Sequence, residues 1–118
     1  MNGKYPQIQI VKIGKRRYMV TRHVLFDTGI NIKKSITSEN LIMYENGRLY
    51  IKRGFTYDGP SGPAIDTVDT MTAACVHDAL YKLILEDKLP FRCRKYADWL
   101  LMDIMIAVSY THLRAHET

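Results

Sequence analysis

The chain has 118 residues, 47% hydrophobic and 25% charged, enough for one domain with a single modest core and too few for two. Seventeen Lys plus Arg against twelve Asp plus Glu leave +5, a balance that suits anionic partners without choosing among them. No apolar run approaches the roughly 20 residues of a membrane span, which argues against a transmembrane segment.

The opening stretch MNGKYPQIQIVKIGKRR lacks the apolar region and small-residue cleavage site of a secretory signal, so a cytoplasmic setting is expected. Basic residues gather at Lys12 to Arg17, at Lys33-Lys34 and from Arg92 to Lys95. Neither an aromatic-interleaved RNA motif nor a helix-turn-helix pattern accompanies them, and ordinary solubility accounts for the charge. Cys75 and Cys93 fall outside CxxC spacing and are expected as free thiols rather than as a zinc or redox pair.

In chain order, Ile8 to Ile13 and Arg17 to Phe26 alternate apolar and polar residues and are rich in β-branched and aromatic types, with Gly14-Lys15 as the turn between two strands. Asp27 to Asn40 is polar and reads as a loop or an irregular edge strand. Leu41 to Tyr44 and Arg48 to Ile51 flank Glu45-Asn46-Gly47, and Asn-Gly between apolar runs signals a hairpin. Three Gly and two Pro between Gly54 and Pro63 then mark a shaped loop. Asp66 or Thr67 can cap a helix from about Val68 to Leu85, with Asp69 at its third position. Met71, Cys75, Leu80 and Leu83 give that helix an apolar stripe, and His77 and Tyr81, four apart, share a face. After the polar turn Glu86-Asp87-Lys88, a second helix runs from about Phe91 to Val108.

The expected architecture is therefore α+β: an N-terminal antiparallel sheet of about four strands over residues 5–53, a Gly/Pro-rich loop over 54–66, and two antiparallel helices over 67–107. The last eleven residues, VSYTHLRAHET, resemble a translated sequencing adapter; 108–118 are expected to be a non-native tail, which removes His112 and His116 from consideration.

The adjacent pair His77-Asp78 carries the chemistry. Neighbouring helix residues diverge by about 100°, so the two side chains are expected to serve different partners. Asp78 can face the preceding loop, where one carboxylate and freed backbone carbonyls make an oxygen-rich site suited to calcium. His77 can face the second helix, where Asp98 would orient the imidazole and leave its other nitrogen free to take a proton from water. Tyr81, one turn along, can hold that carboxylate in place. The alternative is that His77 and Asp78 only satisfy backbone donors and acceptors and fix the loop.

Gly54-Phe55, Asp58, Ser61 and Pro63, then His77 to Tyr81, then Arg94 and Ala97-Asp98 resemble the GF-x-x-D-G-x-S-x-P, HD-x-LY and R-x-x-AD blocks of domain-of-unknown-function family 1353, found in bacteria and their phages. The likeness spans about half the chain and implies a phage or prophage protein of unestablished activity, host-cytoplasmic or virion-associated, with a phage or host protein as a partner. More distantly, Asp58-Gly59-Pro60-Ser61, His77-Asp78 with Tyr81, and Asp98 to Asp103 resemble the prokaryotic phospholipase A2 site, although Pro60 stands where those enzymes carry a cysteine. That resemblance implies His77, Asp98 and Tyr81 as the catalytic group, and Asp78 with the Asp58-Gly59 loop as holders of calcium. It also implies phospholipid or another anionic surface as partner. The competing expectation is a non-catalytic phage accessory or virion component.

Overall fold

The computed structural model describes residues 6–59 and 68–116, with side chains over 6–59 and 70–107. Seven strands precede two helices. β1 (Ile10–Gly14), β2 (Arg17–Val20) and β7 (Thr56–Asp58) form one antiparallel sheet in the order β1-β2-β7. β3 (Val24–Asp27), β4 (Ile36–Ser38), β5 (Leu41–Met43) and β6 (Arg48–Ile51) form a second, in the order β3-β6-β5-β4. α1 spans Val68–Leu85 and α2 Cys93–His116.

The α+β order is the expected one, while the single sheet of about four strands is replaced by two sheets holding seven. The run Arg17 to Phe26 does not make one strand. Its first half pairs with β1 and β7 and its second half with β6, so the chain leaves one sheet at Thr21 and enters the other at Val24. Within Asp27 to Asn40, Ile36–Ser38 pairs with β5 as an edge strand. Within the expected loop, Thr56–Asp58 is drawn into the first sheet by β2.

The period-two pattern sets the core. Leu41, Met43, Leu49 and Ile51 point inward and are fully buried, and the pairings Leu41↔Ile51 and Met43↔Leu49 place them side by side; a one-residue slip would turn all four outward. Between β5 and β6 the Tyr44 N–H donates to the Arg48 carbonyl, closing the three residues Glu45, Asn46 and Gly47 into a hairpin turn in which the Gly47 N–H donates to the Tyr44 carbonyl and Gly47 takes φ 91°. A Cβ at Gly47 would also meet the Ile30 carbonyl oxygen at 2.8 Å, so glycine is required there twice over. In the β1–β2 hairpin Gly14 belongs to the strand, and Arg16 adopts the left-handed conformation at φ 58°.

α1 is buried over most of its circumference, including the expected stripe Met71, Cys75, Leu80 and Leu83. It ends at a Schellman motif: Asp87 takes φ 58°, its N–H donates to the Ile84 carbonyl, and the Lys88 N–H reaches back to the Leu83 carbonyl. α2 begins two residues later than expected, because the Cys93 and Arg94 N–H groups first close turns onto the carbonyls of Pro90 and Phe91. Its backbone passes through Val108 without a break, so residues 108–116 extend the helix. Ala97, Leu100 and Ile104 bury one face of α2, and α1 packs against α2 and β7.

Candidate functional site

Since most of α1 is covered, the open surface of its described residues reduces to one stripe at helical spacing: Ala74, His77, Asp78, Tyr81, Lys82 and Leu85. That stripe carries the His-Asp pair. The Nε2 of His77 lies 2.8 Å from Oδ1 of Asp98 on α2, and the Tyr81 hydroxyl donates to the same oxygen at 2.8 Å. The His77 and Tyr81 rings pack with centroids 4.4 Å apart, the contact that i, i+4 spacing permits. One carboxylate oxygen thus ties two residues of α1 to α2.

Asp78 serves a different partner. Its Oδ2 accepts the backbone N–H of Asp58 at 3.1 Å, joining α1 to the end of β7, while its Oδ1 sits 3.9 Å from Nδ1 of His77. The Asp58 carboxylate turns the other way, to Arg17 at 3.0 Å, and the same guanidinium donates to the Thr56 hydroxyl at 2.9 Å. Gly59 donates its N–H to the Arg16 carbonyl, and a Cβ there would lie 2.5 Å from the Tyr18 ring, so close approach of that ring requires glycine.

These contacts set the protonation states. The Asp78 carboxylate raises the His77 pKa above the ordinary imidazole value; partial burial of the ring opposes this, and the closer Asp98 carboxylate adds to the rise. Asp98 is held below the usual carboxylate range by its hydrogen bonds from His77 and then Tyr81. Tyr81 is raised, by desolvation first and then by its bond to Asp98.

A cleft of about 390 Å³ opens beside the cluster. Asp78, Tyr81 and Lys82 line it from α1, Tyr57 and Asp58 from β7, and Arg17 from β2. Tyr57 and Arg17 did not emerge from sequence reasoning. The available signal was strand alternation: beside exposed Asp58, Tyr57 must face inward. Its hydroxyl is buried without a hydrogen-bond partner among the described residues, and burial, with Cys75, Tyr18 and Asp78 nearby, drives its pKa strongly upward.

The calcium expectation rests partly on oxygens of the loop that includes residues 60–67, which lie outside the described residues together with Ser61, Pro63, Asp66, Thr67 and the Asp69 side chain. Among the described residues no group of three or more His, Cys, Asp or Glu side chains is arranged to hold a metal ion. Asp78 itself is right in kind, a half-exposed hard oxygen donor whose Oδ1 lies 3.9 Å from Nδ1 of His77. Comparison of the chain with protein families, with curated proteins and with solved structures found no match in any of the three.

Proposed function

We propose that the His77 cluster is a hydrolytic site acting on acyl esters of the phospholipid type. The observation that carries this reading is the shared Asp98 oxygen. Asp98 accepts from Nε2 of His77, which fixes that proton and leaves the lone pair on Nδ1 as the available base; Tyr81 holds the carboxylate in register. A water at Nδ1 attacks the ester carbonyl carbon and gives its proton to the imidazole, which returns a proton to the departing alkoxide, so that acid and alcohol are released. Arg17 and Lys82 at the cleft supply cationic rim groups for a phosphate-bearing substrate. Calcium held by Asp78 with oxygens of the Asp58-Gly59 loop would polarise the carbonyl. The phage or prophage setting implied by the motif resemblance offers release at lysis as a route to such substrate.

A second reading has its own support in the bond from the Asp58 N–H to Asp78, which ties strand to helix as a non-catalytic phage accessory or virion component would need. Fatty-acid release from mixed phospholipid vesicles, with calcium and with chelator, separates the two. Hydrolysis predicts calcium-dependent release by the full chain that disappears in His77→Ala and in a folded His77→Asn. Absence of release from the folded protein, or release unchanged in both variants, would sink the hydrolytic reading and leave the structural one.

A further inference from the structure

A second cleft, of about 530 Å³, lies between the β3–β4 connection and the turn from α1 into α2. Its apolar surface comes from Ile30, Ile32, Ile36 and Pro90, and the three isoleucines are half-buried against the core. Four cations also line it. Lys88 is engaged, donating to the Thr37 carbonyl at 2.7 Å and lying 3.6 Å from Glu86. Lys33, Lys34 and Arg92 make no ion pair or side-chain hydrogen bond among the described residues, and no acid is among the described lining residues.

α2 starts at the cleft with Cys93, and its first turn contains no acidic residue, so the positive end of its dipole adds to the field of the three cations. The first two N–H groups are already committed to Pro90 and Phe91, which leaves a favourable field for an anion rather than a ready cradle of donors. Like charges gathered without counter-charge disfavour the free state and favour a ligand that neutralises them. The isoleucine floor adds a demand for hydrocarbon, and the volume falls within the few hundred to about 1,000 Å³ typical of small-molecule sites. No aromatic ring is among the described lining residues, so they offer no stacking platform of the kind a nucleic-acid strand would use.

We propose that this cleft binds a single-chain amphiphilic anion, with hydrocarbon on the isoleucine floor and a phosphate or carboxylate headgroup among Lys33, Lys34 and Arg92. The proposal stands apart from the hydrolytic reading and uses none of its residues.

Cys93 provides the reporter. It lines the cleft and is half-exposed, whereas Cys75 is fully buried, so alkylation of the folded full chain by iodoacetamide reads the cleft alone. Dodecyl phosphate or dodecanoate, each below its micelle-forming concentration, is expected to protect Cys93 saturably, and the stronger of the two identifies the headgroup. Inorganic phosphate and dodecyl maltoside, which carry only one half of the chemistry each, are expected to protect weakly at the same concentration. The exposed substitutions Lys33→Gln, Lys34→Gln and Arg92→Gln combined should weaken protection at least about tenfold, the scale of losing charged hydrogen bonds. Arg92→Gln alone, with its melting curve, serves as the second variant should the triple variant not fold. Equal protection by the neutral detergent would reduce the site to a greasy patch, and equal protection by an oligonucleotide would assign it to nucleic acid. Protection by the anions that is absent, or unchanged in the variants, would also overturn the proposal.

Discussion

Around His77 the side chains of His77, Asp78, Tyr81 and Asp98 are held by hydrogen bonds to one another or to backbone, whereas around Arg92 three of the four cations, Lys33, Lys34 and Arg92, stand apart from any acid among the described residues. The first recess closes on itself: Asp98 binds His77 and Tyr81, and Asp78 binds the backbone of Asp58. The second leaves Lys33, Lys34 and Arg92 open. A closed network behaves as a unit, because removing one member leaves another without its partner. Open charges act separately, through a field that each contributes to independently. The contrast therefore predicts coupling at one recess and additivity at the other.

The largest expected effect is on activity at the closed network. Asp98→Asn should lower the proposed hydrolysis by about 10²- to 10⁴-fold, the usual contribution of a positioned acid–base group, by removing the acceptor that fixes the His77 proton. Since Asp98 is half exposed, the same change should cost only about 1 kcal/mol of stability. A double-mutant cycle of His77→Asn with Asp98→Asn, read by chemical denaturation, should give a coupling above about 0.5 kcal/mol, while Lys33→Gln with Arg92→Gln should add within about 0.3–0.5 kcal/mol. Additivity at His77 and Asp98 would break the distinction between the recesses.

Next in size is the response to pH. The His77 pKa is raised above 6.5, so the stability linked to it is fully present below that value and is lost as pH rises through the folded pKa. Asp98 is lowered from 3.8, so its contribution is present above that value and is lost as pH falls through the folded one. The proposed hydrolysis would need the neutral imidazole and should rise over the same interval in which the His77 contribution to stability falls. Melting temperature and initial rate, each followed from pH 5 to 9 (about 1.5 units below to about 2.5 units above an ordinary histidine), should run in opposite directions in the parent chain. The melting temperature of His77→Asn should lose that slope, and a slope retained there would assign it to another group.

Both recesses were only partly legible in the sequence, for reasons that differ. Divergence of successive helix side chains was sufficient to send His77 and Asp78 to different partners, and i, i+4 spacing brought Tyr81 to the same carboxylate. Those are local rules, and α1 followed them from Val68 to Leu85. The pairing of β7 with β2 joins residues some forty positions apart, which no local periodicity encodes; alternation can turn Tyr57 inward, but nothing local places it and Arg17 at the same cleft. The split of Arg17 to Phe26 between two sheets has the same origin, since its alternation is continuous and only its long-range partners change. The basic cleft was visible only as the separate clusters Lys33-Lys34 and Arg92 to Lys95, which the fold of two distant segments brings together.

The smallest expected effect is on stability at the open recess, and its sign is the informative part. Lys34 and Arg92 are exposed and share the cleft with Lys33 and Lys88, like charges that repel, with no acid among its described lining residues. Neutralising one with Arg92→Gln should leave the protein as stable or raise its stability by a few tenths of a kcal/mol at low ionic strength, the range of exposed charge pairs. Added salt should erase the difference, because charges at the surface are screened over about 10 Å at 0.1 M. Loss of stability on neutralisation would mean that Arg92 has a partner after all, and the cleft would then belong to the same closed kind of construction as the site around His77.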